Sequence, residues 1–342
     1  MIAINRQLVL RARRAGMPHA VDFAMQEAPI PEPGFGQFVV RNLYASLDPA
    51  LRQRLTLTDS YVPRIELGEV LTATTVGVVA ASQDPNYPVG QHVVGHHGIA
   101  DYWLTSAGPA TRPIDPSAVE SLSHYLSVLG PTGLTAYFGI TRVACPRPGE
   151  TVLISGAAGA VGSVAGQIAK LSGCRVIGMA GGAEKARRLT EEYGFDAGID
   201  YRGHDLGSLT AAIRAAAPEG IDVAFENVGG IQLDAAIDCV NERGRIAVCG
   251  LISQYNATEP PPPMTNLFKL VARSIRMEGF IVRNYSAEYA AAAAVLGTWV
   301  REGKVRFREA IHDGLDAGPE AFLSLFSGAN QGKVMLRLDP AA

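Results

Sequence analysis

The chain has 342 residues, of which 47% are hydrophobic and 18% charged, with a formal net charge of −3. That length exceeds one small core and predicts two domains of ordinary size. A nearly balanced charge, without Lys/Arg clusters interleaved by aromatic residues, excludes nucleic acid and acidic membrane surfaces as partners. Arg6, Arg11, Arg13 and Arg14 are followed by no apolar run of secretory length, and the Ala-rich stretch 290–295 is too short to span a bilayer, so a cytosolic, non-membrane protein is expected. Cys145, Cys174, Cys239 and Cys249 form no C-x-x-C pair and read as reduced thiols in core or helix-packing positions.

Residues 1–129 read as a β-rich domain with barrel-like packing. Short runs at 38–43, 70–81 and 92–94 are bounded by the turn clusters PEPGFG and DPNYPVG. ASLDPALR (45–52) reads as a turn capped by Asp48, and Thr58, Asp59, Ser60 and Tyr61 form a polar loop suited to a cleft. His92, His96 and His97 invite a metal, but no Cys or carboxylate sits nearby at ligand spacing. The alternating pattern of QHVVGHHGI suits a strand and turn, so no metal is expected there.

From about Gly130 the pattern changes to alternating strands and helices, the signature of an α/β fold with a parallel sheet. TVLISGAAGAVGSVAGQIAKL (151–171) is an apolar strand, a glycine turn and an amphipathic helix in succession. Gly156, Gly159 and Gly162 punctuate the turn, with Ala157 where the fingerprint G-x-G-x-x-G has its first glycine. Gly156, Ala158, Gly159, Ala160, Val161 and Gly162 are therefore candidate contacts for a dinucleotide pyrophosphate. Such a group must approach backbone amides at a helix N-terminus without obstruction by a Cβ.

CRVIGMAGG (174–182) gives the second strand. A site for NAD carries an acidic residue roughly 20 positions beyond the glycines. Here Ala180, Gly181 and Gly182 stand instead, and Lys185, Arg187 and Arg188 follow on the next helix. NADP(H) is predicted, with Lys185 as the main partner of the 2′-phosphate and the two arginines as lesser candidates. Two further units, 221–230 and 245–256, end in Asn227 and in Gly250, Ser253 and Tyr255, at strand ends where ligands of open parallel sheets gather. Glu259 and Pro260–Pro263 break the rhythm and predict a loop over the substrate cleft, or else an exposed linker. The stretch 274–282 reads as the last strand.

The chain resembles zinc-independent medium-chain dehydrogenase/reductases, in the branch of leukotriene B4 12-hydroxydehydrogenase, prostaglandin reductase and alkenal double-bond reductases. SLDPALR, VLGPTGLTAYFG, SGAAGAVGSVAGQIAK, AGGAEK, GFDAGIDY, ENVGG, GLISQYN and GANQGK carry the likeness. The resemblance implies a GroES-like catalytic domain made of 1–129 and 303–342, with KVMLRL returning to it, around a Rossmann domain of 130–302. Ser46 stands where zinc-dependent relatives have a ligand cysteine, and Leu67-Gly68-Glu69 lacks their histidine, so no catalytic metal is implied.

The implied reaction is hydride transfer from NADPH to the β-carbon of an α,β-unsaturated ketone or aldehyde, with protonation at the α-carbon. Tyr255 is matched to a family tyrosine near the nicotinamide ribose, Tyr61 is a second phenol for the cleft, and Tyr201, Asn227, Gly250 and Asn330 carry over as cofactor contacts. Relatives commonly have serine where Gly182 stands, which implies a missing phosphate hydrogen bond and weaker NADPH binding. A homodimer paired along the last strand is implied too. An NADPH quinone reductase and a non-catalytic NADPH-binding protein remain as alternatives.

Overall fold

The computed structural model describes residues 4–57, 62–108 and 111–340. The chain divides into two compact units, Met1–Leu126 with Glu309–Ala342, and Ser127–Arg308. In the first unit, β1 (Ile4–Leu10) and β2 (Phe23–Pro29) form an antiparallel pair. Next come β3 (Gln37–Ser46), β4 (Thr72–Ser82), β5 (His92–Gly98), β6 (Tyr102–Ser106) and β7 (Thr111–Pro113), all joined by antiparallel ladders. The predicted runs lie inside these strands except Val70, which makes only an isolated bridge to Val9, and Leu71.

The second unit holds β8 (Thr151–Ile154), β9 (Arg175–Ala180), β10 (Ala197–Asp200), β11 (Ile221–Glu226), β12 (Val240–Val248) and β13 (Arg276–Gly279). They form a parallel sheet in the order β10-β9-β8-β11-β12-β13, the doubly wound order of dinucleotide-binding folds. Between strands run α1 (Ala160–Leu171), α2 (Ala183–Glu191), α3 (Leu206–Ala216) and α4 (Gly230–Cys239). α1 is buried all along Gly162–Ala169, and within that run Val164, Ala165, Ile168 and Ala169 form an apolar face at the helix period. Elsewhere Leu153, Ile177, Leu209, Ala224, Ile237 and Ile246 belong to one core cluster.

Two expectations need correction here. The last strand is shorter than 274–282, because Ser274 adopts a left-handed φ of 51° and Val282–Glu288 turns helical. Cys145 is exposed rather than packed inside, at the left-handed end of a π-helical turn over Gly139–Ala144.

After the second unit the chain returns as β14 (Glu309–Asp313), α5 (Gly318–Ser327) and β15 (Lys333–Arg337). β15 pairs antiparallel with β3, placing Met335 opposite Ser46. Leu8, Leu47, Ile99, Phe322 and Leu336 share the core so closed. Within it Lys333 is only 2% exposed, and its Nζ donates to Leu47 O (2.7 Å), Val334 O (3.1 Å) and Asp48 Oδ1 (2.8 Å). An ammonium so placed is tolerable because all three of its protons are used. Asp48 therefore serves less as a local cap than as the counter-ion of a distant lysine.

His97 is fully buried between Thr111 Oγ1, 2.9 Å from Nε2, and Thr75 Oγ1, 2.8 Å from Nδ1. Thr75 donates its own proton to Asn42 Oδ1, so Nδ1 of His97 carries the ring hydrogen and Nε2 accepts from Thr111. Gly95 makes room, since a Cβ there would lie 2.4 Å from Nε2. Burial, and then the neighbouring His96, lower the His97 pKa to about 4. The unfolded imidazole binds its proton at higher pH, so stability is complete above about pH 6.5 and falls as pH drops toward 4. A loss of about 3 kcal/mol over that window is expected from this group. Denaturant midpoints measured from pH 7 to 4 should show it, and His97→Gln should flatten the profile.

Candidate functional site

The strand order reverses between β8 and β11, and the crevice of such a sheet opens at their carboxyl ends. On the β8 side the chain turns through Gly156 at φ 56° and enters α1 with Gly159 as an extended N-cap that no side chain bonds. The first-turn amides of α1, from Ala160, Val161 and Gly162, have no carbonyl within the helix to bond and suit an anion. A Cβ on Gly162 would lie 2.4 Å from Gly156 O, and one on Gly159 3.1 Å from the same oxygen. Ala157 donates its N–H to Met179 O (2.9 Å), and Ala157 and Ala158 are buried, so the alanine in place of the first glycine faces inward without cost.

On the β11 side Glu226 is 1% exposed. Its Oε1 accepts from Ser155 Oγ (2.7 Å), Val228 N (2.6 Å) and Gly229 N (2.7 Å). Burial raises the pKa of this carboxyl, opposed by the Ser155 hydroxyl and the turn amides. Ser155 Oγ accepts from Asn227 N (2.8 Å), and Asn227 Nδ2 donates to Ser155 O (2.7 Å). Cys249 N and Gly250 N donate to Glu226 O, which adds the end of β12 to the cluster. Burial and the charge of Glu226 push the Cys249 thiol up to about 12, so it is inert as a nucleophile. Ser253 Oγ donates to Val228 O (2.6 Å). Tyr255 follows a short helical turn, with its hydroxyl 3.0 Å from where a Cβ of Gly250 would stand. Asn227, Gly250, Ser253 and Tyr255 are thus brought together.

A second group gathers at the ends of β9 and β10. Gly182, at φ 102°, opens α2 with no side-chain cap. Tyr201 Oη lies 2.9 Å, and Arg202 Nε 3.2 Å, from where a Cβ of Gly181 would stand, so only glycine admits both groups. Half-buried Lys185 has its pKa lowered by burial first and then by the charges of Arg202 and Arg188. Asp200 Oδ1 is occupied by the amides of Gly182 (2.7 Å) and Arg202 (3.0 Å).

The two lesser phosphate candidates are otherwise engaged. Arg188 is buried in ion pairs with Glu184 and Glu192, and Arg187 pairs with Glu191 on the outer face of α2. Arg202 is the cation that sequence reading missed. Its signal in the sequence is its place directly after Tyr201, just past the end of β10, the strand beside β9.

Asn330 belongs to the first unit, where its Nδ2 donates to Gly332 O (3.4 Å). Tyr61, with Thr58, Asp59 and Ser60, lies outside the described residues. The segment Glu259–Pro263 is exposed and without regular structure, and beyond it Thr265 and Asn266 are anchored on Asp234 through both carboxylate oxygens.

An uncapped helix behind a glycine turn, at the reversal point of a doubly wound sheet, defines a dinucleotide-binding protein of the Rossmann type. Residues 6–113 match a family model described as the N-terminal domain of oxidoreductase, and 160–297 one described as zinc-binding dehydrogenase. The NADPH-dependent curcumin reductase of Escherichia coli is 41% identical over 98% of this chain and 97% of its own length. A 2-alkenal reductase (NADP(+)-dependent) of Nicotiana tabacum is 40% identical over 96% of each. The crystal structure of CurA in complex with NADPH from Vibrio vulnificus superposes with a TM-score of 0.91 at 38% identity, over 98% of this chain and 99% of that one. The chain belongs to the medium-chain dehydrogenase/reductases, in their zinc-independent branch.

The residues present do not suit the metal in the second model's description. Ser46 is buried and spends its hydroxyl on Asp48, whose other oxygen faces the Lys333 ammonium. Among the described residues no group of three or more His, Cys, Asp or Glu is placed to hold a metal ion.

The tight approach at Gly162 yields a test. Gly162→Ala forces α1 away from the turn and should raise the NADPH dissociation constant by about tenfold or more, while the enzyme remains folded by circular dichroism.

Proposed function

We propose that this protein is an NADP(H)-dependent reductase of carbon–carbon double bonds conjugated to a ketone or aldehyde, acting without zinc. The observation that carries the cofactor choice is the cluster of Lys185, Tyr201 and Arg202 around Gly181 and Gly182. Two cations and a phenol gather there, and the carboxylate of Asp200 beside them accepts from backbone amides. This environment favours a doubly charged phosphate over a ribose hydroxyl. The resemblance implies a phosphate hydrogen bond lost with Gly182, and Arg202 is a cation close enough to that glycine to supply another donor. The relatives named for 2-alkenal and curcumin reduction support the substrate class.

When bound, the cofactor supplies the hydride. The protein's own part is to hold and orient: α1 amides and the glycine turn take the pyrophosphate, and Asn227, Gly250 and Ser253 line the path beyond it. Tyr255 offers a hydroxyl to the ribose or to the substrate oxygen, where negative charge grows as hydride reaches the β-carbon. Tyr61 is assigned to the substrate side and Asn330 to the cofactor, and the proline segment to a cover for the substrate.

Following NADPH oxidation against alkenals, cyclic and aryl enones, 15-keto lipids and quinones tests this reading. Turnover of enones or alkenals is expected, with NADH poorer by roughly tenfold or more. Arg202→Ala and Lys185→Ala should each raise KM for NADPH by about tenfold and leave KM for NADH unchanged. Equal efficiency with both cofactors would refute the phosphate site, and reduction of quinones alone would favour a quinone reductase.

A cytosolic homodimer completes the proposal. β13 is the edge of its sheet, and beside it Leu267, Phe268 and Val271 are 50%, 75% and 74% exposed. Pairing two such edges across a two-fold axis covers both the open ladder and the apolar side chains. Light scattering should give twice the chain mass, and Phe268→Glu should shift it toward the monomer.

A further inference from the structure

We propose that Glu226 is a positioning residue. Through Ser155, its carboxylate registers the glycine turn after β8 against the turn after β11, and so sets the half of the cofactor that lies beyond the pyrophosphate. The inference rests on the cofactor reading above.

A phosphate at the ends of β9 and β10 and a pyrophosphate on α1 leave one direction for the rest of a dinucleotide, across the reversal point toward β11 and β12. The side chains of Ser155, Glu226 and Asn227 link the ends of the two central strands at that crossing. A buried carboxylate is costly unless its oxygens are hydrogen-bonded, and a plain strand end requires none. Here Oε1 collects one hydroxyl and two amide protons, and the main-chain oxygen of the same residue takes the amides of Cys249 and Gly250. One residue thereby fixes the turns after β8, β11 and β12. A glutamine would keep the shape but offer a weaker acceptor and bring two donors into a place already furnished with them.

The test compares two ligands on the full-length protein by fluorescence titration. NADPH reaches across the crossing, whereas adenosine 2′,5′-bisphosphate occupies the β9–β10 end and, through its 5′-phosphate, extends no further than the pyrophosphate position on α1. Glu226→Gln and Ser155→Ala should each raise the NADPH dissociation constant by about tenfold and change that of the bisphosphate by less than about twofold. Because both variants break one link, the double variant should bind NADPH no more weakly than the worse single variant. Equal weakening of both ligands would mean general loosening and overturn the proposal, as would unchanged NADPH binding or additive losses in the double variant. Should Glu226→Gln fail to fold, Ser155→Ala alone decides between these outcomes. Lys185→Ala is expected to weaken both ligands, and its failure to do so would tell against the phosphate site while the Glu226–Ser155 coupling is still judged on NADPH.

Discussion

The contact between the first turn of α1 and the carbonyl of Gly156 is the constraint to which the second unit answers. At that point a Cβ on Gly162 would come within 2.4 Å of the oxygen, so the helix lies against the turn backbone to backbone. This closeness brings the start of α1 to the mouth of the sheet and leaves its amides facing the crevice. The turn is held from the other side by the bond from Ala157 to Met179 on β9. Neighbouring glycines continue the same logic: Gly178 admits Leu189 and Ala157, and Gly166 admits Phe195. Absence of side chains, more than their presence, shapes this half of the molecule.

Charge is treated differently. Three of the buried charged residues show how partners enclose them: Lys333 by two carbonyls and a carboxylate, Arg188 by two glutamates, and Glu226 by a hydroxyl and amides. Breaking one partner of such a set leaves a buried charge uncompensated, so a substitution there is expected to cost more than the net energy of the set. At the ends of β9 and β10 like charges stand close instead: burial, and then the charges of Arg202 and Arg188, lower the Lys185 pKa, and Glu184 opposes them.

Much of this was legible in the sequence because the signals are local. A strand, glycine turn and amphipathic helix announce themselves within twenty-one residues of 151–171, and the repeating rhythm after Gly130 is set by short-range periodicity. What could not be read depended on register. Arg202 joins Lys185 only because β10 pairs with β9, with Asp200 beside Ala180. Ser155 meets Glu226 across 71 residues, and no spacing rule connects them. The short last strand was missed because a left-handed Ser274 is not written in its apolar pattern. Arg188 looked available because its helix position was counted without the glutamates one turn to either side.

The return of β15 to β3 bears on how the chain is made. Lys333 and its acceptor Leu47 O are 286 residues apart, and β3 has β15 for a neighbour only after the whole second unit has been synthesised. Ser127–Arg308 is contiguous and closes its own sheet, so it is able to finish first during translation. The first unit must wait, with one flank of β3 open and its core lacking Phe322 and Leu336 until the last segment arrives. Insertion of one unit within another therefore imposes an order of assembly, and the waiting β-rich segment is the part most in need of protection from aggregation in the cell.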